Sequence, residues 1–349
     1  MKKRDFLWSF FVFCKIKNIE FAKKNQTIYQ IFKQIYFQKE TNRIMEFTNF
    51  KTMVRDELIK RTGEKCNVRI NEVMKNNGVV LSGITMMQDD SNISPTIYLN
   101  PYYEAYESGE ITLGCIVENV LKTYEKNKMK RSVDMRFFMN YESVKGRIIF
   151  KLIHAERNKE LLKEIPHIKY LDLAIVFQCL VSEERYGNAT ILIHNAHLKI
   201  WKKKAEELYE QALVNTPKLQ KYDIQSMRDV LCEMIQTEEI KEDEREEYIK
   251  NLPNSVPMYV LSNHIRVQGA ACMLYPDILK DFARAIKGDF YILPSSIHEL
   301  ILLPAQGDEN VNALRDMVRE VNESQVEREE VLSDSVYYYE RSKNELRIR

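Results

Sequence analysis

The chain has 349 residues, 44% apolar and 30% charged, with 52 Lys+Arg against 51 Asp+Glu and a formal charge of +1. A chain of this length can bury a core without disulfide or metal staples. Its 10 Gly and 9 Pro, with 10% aromatic residues, exclude collagen-like, linker-rich and wholly disordered classes, and the near-zero charge argues against a dedicated polyanion binder.

Residues 1–44 carry ten basic and three acidic side chains, +7, which leaves −6 for the rest of the chain. Met1-Lys2-Lys3-Arg4 before the apolar run Phe6–Cys14 resembles the start of a signal peptide. No small-x-small cleavage site follows, and the run is far short of the about 20 residues a helical span needs. An export signal, a peripheral amphipathic membrane contact and a translated leader before Met45 are the three readings. The leader is preferred, because Phe47, Phe50, Val54 and Leu58 begin a helical stripe directly after Met45.

The periodicity then predicts a helix over 46–62 and β-runs at Cys66–Met74, Val79–Met86 and Thr96–Leu99, with a hairpin signal at Asn76-Asn77-Gly78. A helix is expected over 111–128, then strands at Arg147–Ile153, Tyr170–Val181 and Ala189–His194. Helices follow at 202–214, stopping before Pro217, and at 224–236. Seven acids and two bases in 237–247, followed by Pro253 and Pro257, mark the best internal boundary. Beyond it come strands at Met258–Ser262 and Ala270–Leu274, a helix from Pro276 to Ile286 and strands at Phe290–Leu293 and Glu299–Leu303. A helix over 309–323 and a terminal hairpin of Ser335–Glu340 and Glu345–Ile348 complete the chain. The expected class is α+β, with short, mostly antiparallel strands and strand-pair-then-helix units. Its regions are a basic preface (1–44), an N-terminal α+β region (45–236), an acidic, Pro-containing linker (237–257) and a C-terminal α+β region (258–349).

The six cysteines are scattered and form no CxxC pair, so they read as reduced core residues of a cytoplasmic protein. No glycine-rich phosphate loop, GxSxG or HExxH is present, and no cofactor is predicted. Three clusters carry chemistry-bearing residue types. Ser295, Ser296, His298 and Glu299 gather hydroxyl, imidazole and carboxylate, although nucleophile, base and orienter usually converge from separate segments and a Ser-Ser turn is the simpler reading. His194 and His197 could share a metal on one face of a helix start; the simpler reading is a helix capped by Asn195. Lys199, Trp201, Lys202, Lys203 and Lys204 set an aromatic among bases, which suits a polyanion, but equally a solvated helix start in which Glu206 and Glu207 offset the lysines.

Several runs resemble a bacterial family known as domain of unknown function 5688. They include Tyr259–Asn263, Gly269-Ala270-Ala271, Leu274-Tyr275-Pro276, Tyr291–Glu299 and Leu332–Tyr339, with Asn92–Leu99 and Ala189–Leu213 upstream. The likeness covers about 45–349, and the second unit also faintly resembles another family, domain of unknown function 1444. The resemblance implies no activity, cofactor or catalytic residue, and the chain departs from it at Lys202-Lys203. The sequence therefore favours a binding or adaptor module without catalysis, whose partner is a protein rather than nucleic acid. The alternatives are a hydrolase using the Ser295/Ser296/His298/Glu299 region and a nucleic-acid accessory protein using Lys199–Lys204.

Overall fold

Apolar spacing at Phe50, Val54 and Leu58 folds 47–62 into α1, the first helix of the computed structural model, which describes residues 47–63, 66–88, 94–128, 136–181, 190–237, 258–294, 296–307 and 309–349. The readings made for 1–44, for most of the acidic segment and for Ser295 lie outside these residues. The architecture is α+β, with antiparallel sheets throughout.

The chain divides into two units. The smaller holds 47–75 and Val79–Phe137; the larger holds Asn76–Gly78 and Phe138–Arg349. In the smaller unit β1 (Cys66–Met74), β2 (Val80–Gln88) and β3 (Thr96–Tyr98) form a three-stranded sheet in the order β1-β2-β3. Its buried Val68, Ile84 and Ile97 meet Phe50, Val54 and Leu58 of α1 and Ile116, Val117 and Val120 of a later helix. That later helix is α3 (Leu113–Asn127), whose first turn is capped by the Thr112 hydroxyl. A helix not anticipated from sequence, α2 (Asn100–Glu107), precedes it, with Pro101 at its start where a missing N–H costs nothing.

Among the described residues the larger unit has two sheets. In the first, β4 (Ile148–His154) and β5 (His167–Tyr170) flank β6 (Leu173–Leu180), and β7 (Thr190–Leu192) also pairs with β6. The run 170–181 is thus a turn and a strand rather than one strand. Leu171 bends the chain at φ 55°, a conformation few bulky residues adopt, so the apolar alternation concealed the turn. Between β4 and β5 lies the short helix α4 (Lys159–Glu164).

Helix α5 (Asn195–Trp201) ends at Lys202, which adopts the left-handed conformation, and α6 (Ala205–Leu219) begins anew. The helix expected over 202–214 is therefore α6, which starts at Ala205, and α5 is a separate helix before it. Helix α6 also continues past Pro217, because a proline in the final turn removes only one late hydrogen bond. Asn215 of α6 donates from Nδ2 to the Ile148 carbonyl at 2.9 Å, and the Phe150 N–H donates to the Thr216 hydroxyl at 3.2 Å, which fixes α6 against β4.

The second sheet has six strands in the order β13-β12-β10-β11-β9-β8. They are β8 (Tyr222–Ser226), β9 (Tyr259–Asn263), β10 (Phe290–Leu293), β11 (Leu300–Pro304), β12 (Tyr337–Glu340) and β13 (Glu345–Ile348). The helix expected over 224–236 is shorter, α7 (Met227–Thr237), because β8 occupies its start. On one face Val260, Tyr291, Leu293, Ile301 and Leu303 pack with Met227, Val230 and Leu231 of α7 and with Leu314, Val318 and Val321 of α9 (Val311–Gln325). Residues of the other parity face α8 (Ile278–Ile286), where Phe282 meets Tyr259 and Phe290 edge-on and Phe290 stacks on Tyr339 at 5.0 Å. With helices on both faces, β10 and β11 are buried almost end to end.

Two further differences from the sequence pattern have local causes. Ala270–Leu274 belongs to a 3₁₀ helix, Gly269–Leu274, rather than a strand; a short apolar run buried on every side carries no period to separate the two. The compositional boundary at 237–257 falls between β8 and β9, adjacent strands of one sheet, whereas the compact division lies near residue 137.

Candidate functional site

The segment Ser296–Glu299 joins β10 to β11 and is held from outside. Ser296 forms a single bridge with Val331, and the Ile297 N–H donates to the Glu330 carbonyl at 2.9 Å. The His298 N–H donates to the Ser296 hydroxyl at 3.0 Å, so hydroxyl and imidazole are linked through the backbone and not through the ring. The ring turns away: His298 Nδ1 accepts the Gln268 N–H at 3.2 Å, and Nε2 lies 3.5 Å from Glu330 Oε1. With its Nδ1 lone pair committed, the imidazole carries its proton on Nε2, directed to Glu330. Ser296 and Glu299 are both buried. The ring's two nitrogens thus face Gln268 and Glu330, and the Ser296 hydroxyl faces the His298 main chain.

The two histidines at the start of α5, the cap His194 and His197, meet directly. The His194 N–H donates to His197 Nδ1 at 2.9 Å, with the ring centroids 5.7 Å apart. His194 is the cap residue in place of Asn195, whose Nδ2 instead donates to the Lys163 carbonyl at 3.0 Å. His197 also packs edge-on against Phe138 and stacks on Trp201. Burial and the neighbouring His194 push its pKa below the ordinary imidazole value. Among the described residues no three His, Cys, Asp or Glu side chains gather as a metal would require.

Trp201 is buried, and its Nε1–H donates to the Phe138 carbonyl at 3.0 Å, so this indole offers no stacking face to a base. Lys203 Nζ lies 2.7 Å from Glu207 Oε1 and 4.9 Å above the Tyr141 ring. The Lys204 N–H is taken by Glu207 Oε2 at 2.9 Å, closing the first turn of α6. Lys199 is exposed, and Lys202 supplies the left-handed link between the two helices. An open groove of about 410 Å³ lies here, lined by Tyr141, Lys145, Lys203, Glu207, Glu210 and Val214 among others. A polyanion there would meet Glu142 beside Lys145 and Glu207 beside Lys203.

A cluster that sequence reading missed is assembled by the two sheets of the larger unit. Asp172, in the β5–β6 turn, accepts the Ser333 hydroxyl at 2.6 Å and the Ser335 hydroxyl at 2.9 Å on Oδ2, and the Tyr337 hydroxyl on Oδ1. His154, the last residue of β4, places Nε2 4.0 Å from Asp172 Oδ2, and its Nδ1 accepts the Arg157 N–H at 3.2 Å. Arg157 pairs with Asp334. A signal was present: Ser333, Ser335 and Tyr337 alternate and so share one side of an extended chain. Asp172 was hidden inside a run read as strand. Here too the arrangement is not a catalytic triad, because both serine hydroxyls donate straight to the carboxylate that the imidazole faces. Burial, with Asp172 accepting its hydroxyl, drives the Tyr337 pKa well above the ordinary phenol value.

No helix among the described residues is long and apolar enough to cross a membrane. No curated protein and no solved structure matches the chain. Residues 47–341, most of the chain and nearly all of both units, match the family described as "Family of unknown function (DUF5688)", and the chain belongs to that family.

Proposed function

We propose that this chain is a bacterial cytoplasmic binding or adaptor module without catalytic activity, acting on a protein partner. The observation that supports this reading is shared by three histidines. His154, His197 and His298 each direct Nδ1 to a backbone N–H, from Arg157, His194 and Gln268 respectively. A general base needs a free imidazole lone pair within reach of the proton it takes, and here that lone pair closes a turn or a cap. These rings stabilise loops. The free thiols of Cys66, Cys115, Cys179, Cys232 and Cys272 suit a reducing compartment.

Two measurements on the full chain test the reading. Cross-linking in native cells, followed by isolation and mass spectrometry, should return one reproducible protein partner. A serine-directed fluorophosphonate should leave Ser295 and Ser296 unlabelled. Labelling of either serine that disappears in His298→Ala would replace the adaptor reading with a hydrolase, and recovery of nucleic acid in place of protein would replace it with the nucleic-acid reading.

A further inference from the structure

The His154 ring stands where the two sheets of the larger unit are tied together. Its Nδ1 accepts the Arg157 N–H at 3.2 Å, so the ring proton sits on Nε2, 4.0 Å from Asp172 Oδ2. The Arg157 N–H belongs to the 3₁₀ turn Glu156–Asn158, which bears two ties. The Arg157 guanidinium reaches the Asp334 carboxylate ahead of β12, and Asn158 Nδ2 donates back to the His154 carbonyl at 2.8 Å. The charged groups facing the ring are Asp172 from the β5–β6 turn, Asp334 from the segment before β12, and Glu156 and Arg157 from its own turn. A neutral imidazole suits all of these partners. A protonated one does not, because Nδ1–H would then confront the Arg157 N–H, donor against donor, while the new cation is drawn to the Asp172 carboxylate.

We propose that His154 is a pH-sensitive latch. Proton uptake at Nδ1 releases the Arg157 amide, opens the Glu156–Asn158 turn and loosens the Arg157–Asp334 tie between the two sheets, while the imidazolium pairs with Asp172. The step is the gain of one proton from solvent and breaks no covalent bond. Burial and the nearby Arg157 cation hold the ring's proton affinity below that of an exposed imidazole, against the opposing pull of Asp172, Asp334 and Glu156. The latch is therefore closed at neutral pH and opens on acidification.

The test uses the full chain and two nuclear magnetic resonance readouts between pH 7.5 and 5: the His154 ring ¹⁵N shifts and the exchange rate of the Arg157 amide, corrected for intrinsic pH dependence. The ring should be the Nε2–H tautomer at pH 7.5. Arg157 exchange should rise at least tenfold on acidification, with the midpoint of the ring titration. His154→Asn, whose Oδ1 can accept the same N–H and does not titrate in this range, should show flat protection. An Nδ1–H tautomer at pH 7.5, Arg157 protection that stays constant while the ring titrates, or equal loss of protection in His154→Asn would each overturn the latch. If His154→Asn fails to fold, the coincidence or separation of the two midpoints in the unaltered chain decides.

Discussion

At the scale of single residues, His298 shows how a chemistry-bearing side chain serves a loop. Its ring is caught between the Gln268 N–H and Glu330, and the Ser262 hydroxyl donates to its carbonyl at 2.7 Å. His298→Ala leaves the Gln268 N–H without its acceptor and should lower stability by about 1–3 kcal/mol, read by thermal or urea unfolding. His298→Asn, which can restore an acceptor, should recover part of that loss; a His298→Ala chain as stable as the original would refute the structural role. Tyr337→Phe deletes one of three hydroxyls on Asp172, and a hydrogen bond to a charged group contributes about 1.5–3 kcal/mol. Its unfolding midpoint should fall accordingly, whereas Ser335→Ala, at a half-buried position, should cost less. The residue types at 296–299 were legible in the sequence. Their partners were not, since Gln268 and Glu330 lie on other segments and nothing local announces them.

At the scale of elements, the patterning succeeded where a face is half-buried and failed where it is wholly buried or irregular. The β1 range follows directly from its sequence, because its two faces differ in exposure and the Asn-Gly step marks its end. Gly269–Leu274 could not be read in the same way. Its conformation is imposed by a crowded approach that only glycine allows. A Cβ on Gly269 would lie 2.2 Å from Ser262 Oγ and 2.6 Å from both the Asn263 nitrogen and the His298 oxygen. Backbone atoms cannot swing aside, so Gly269→Ala should cost about 3 kcal/mol and loosen the β9 end and the 296–299 turn together. Gly146→Ala, where a Cβ meets nothing within 4 Å and φ is not positive, is the control and should change the unfolding midpoint little. Equal effects of the two substitutions would show that the close approach is unimportant.

For the whole molecule, the lowered pKa values of His154 and His197 make stability depend on pH. Each ring holds a proton less readily folded than unfolded, so below the ordinary imidazole value of 6.5 the unfolded chain takes up protons first. Their contribution is complete above 6.5 and is lost as pH falls from there through the lowered folded values. Urea midpoints should therefore decline between pH 7.5 and 5.5, and the decline should flatten in a chain carrying both His154→Asn and His197→Asn. The six-stranded sheet has a different consequence, one of covalent continuity. β8 and β9 pair along their full lengths, yet residues 238–258 separate α7 from β9 in the chain. The backbone connection there is not what holds the two sides together: Met227, Val230 and Leu231 share a core with Val260, Ile301 and Val318, and Tyr275 donates its hydroxyl to the Gln220 carbonyl at 2.8 Å. Burying each such aliphatic side chain contributes about 1.5–3 kcal/mol. A protease site introduced between 238 and 250 and then cleaved should accordingly yield two polypeptides that co-elute as one folded particle, and separate expression of the two pieces should allow them to find each other as a split protein.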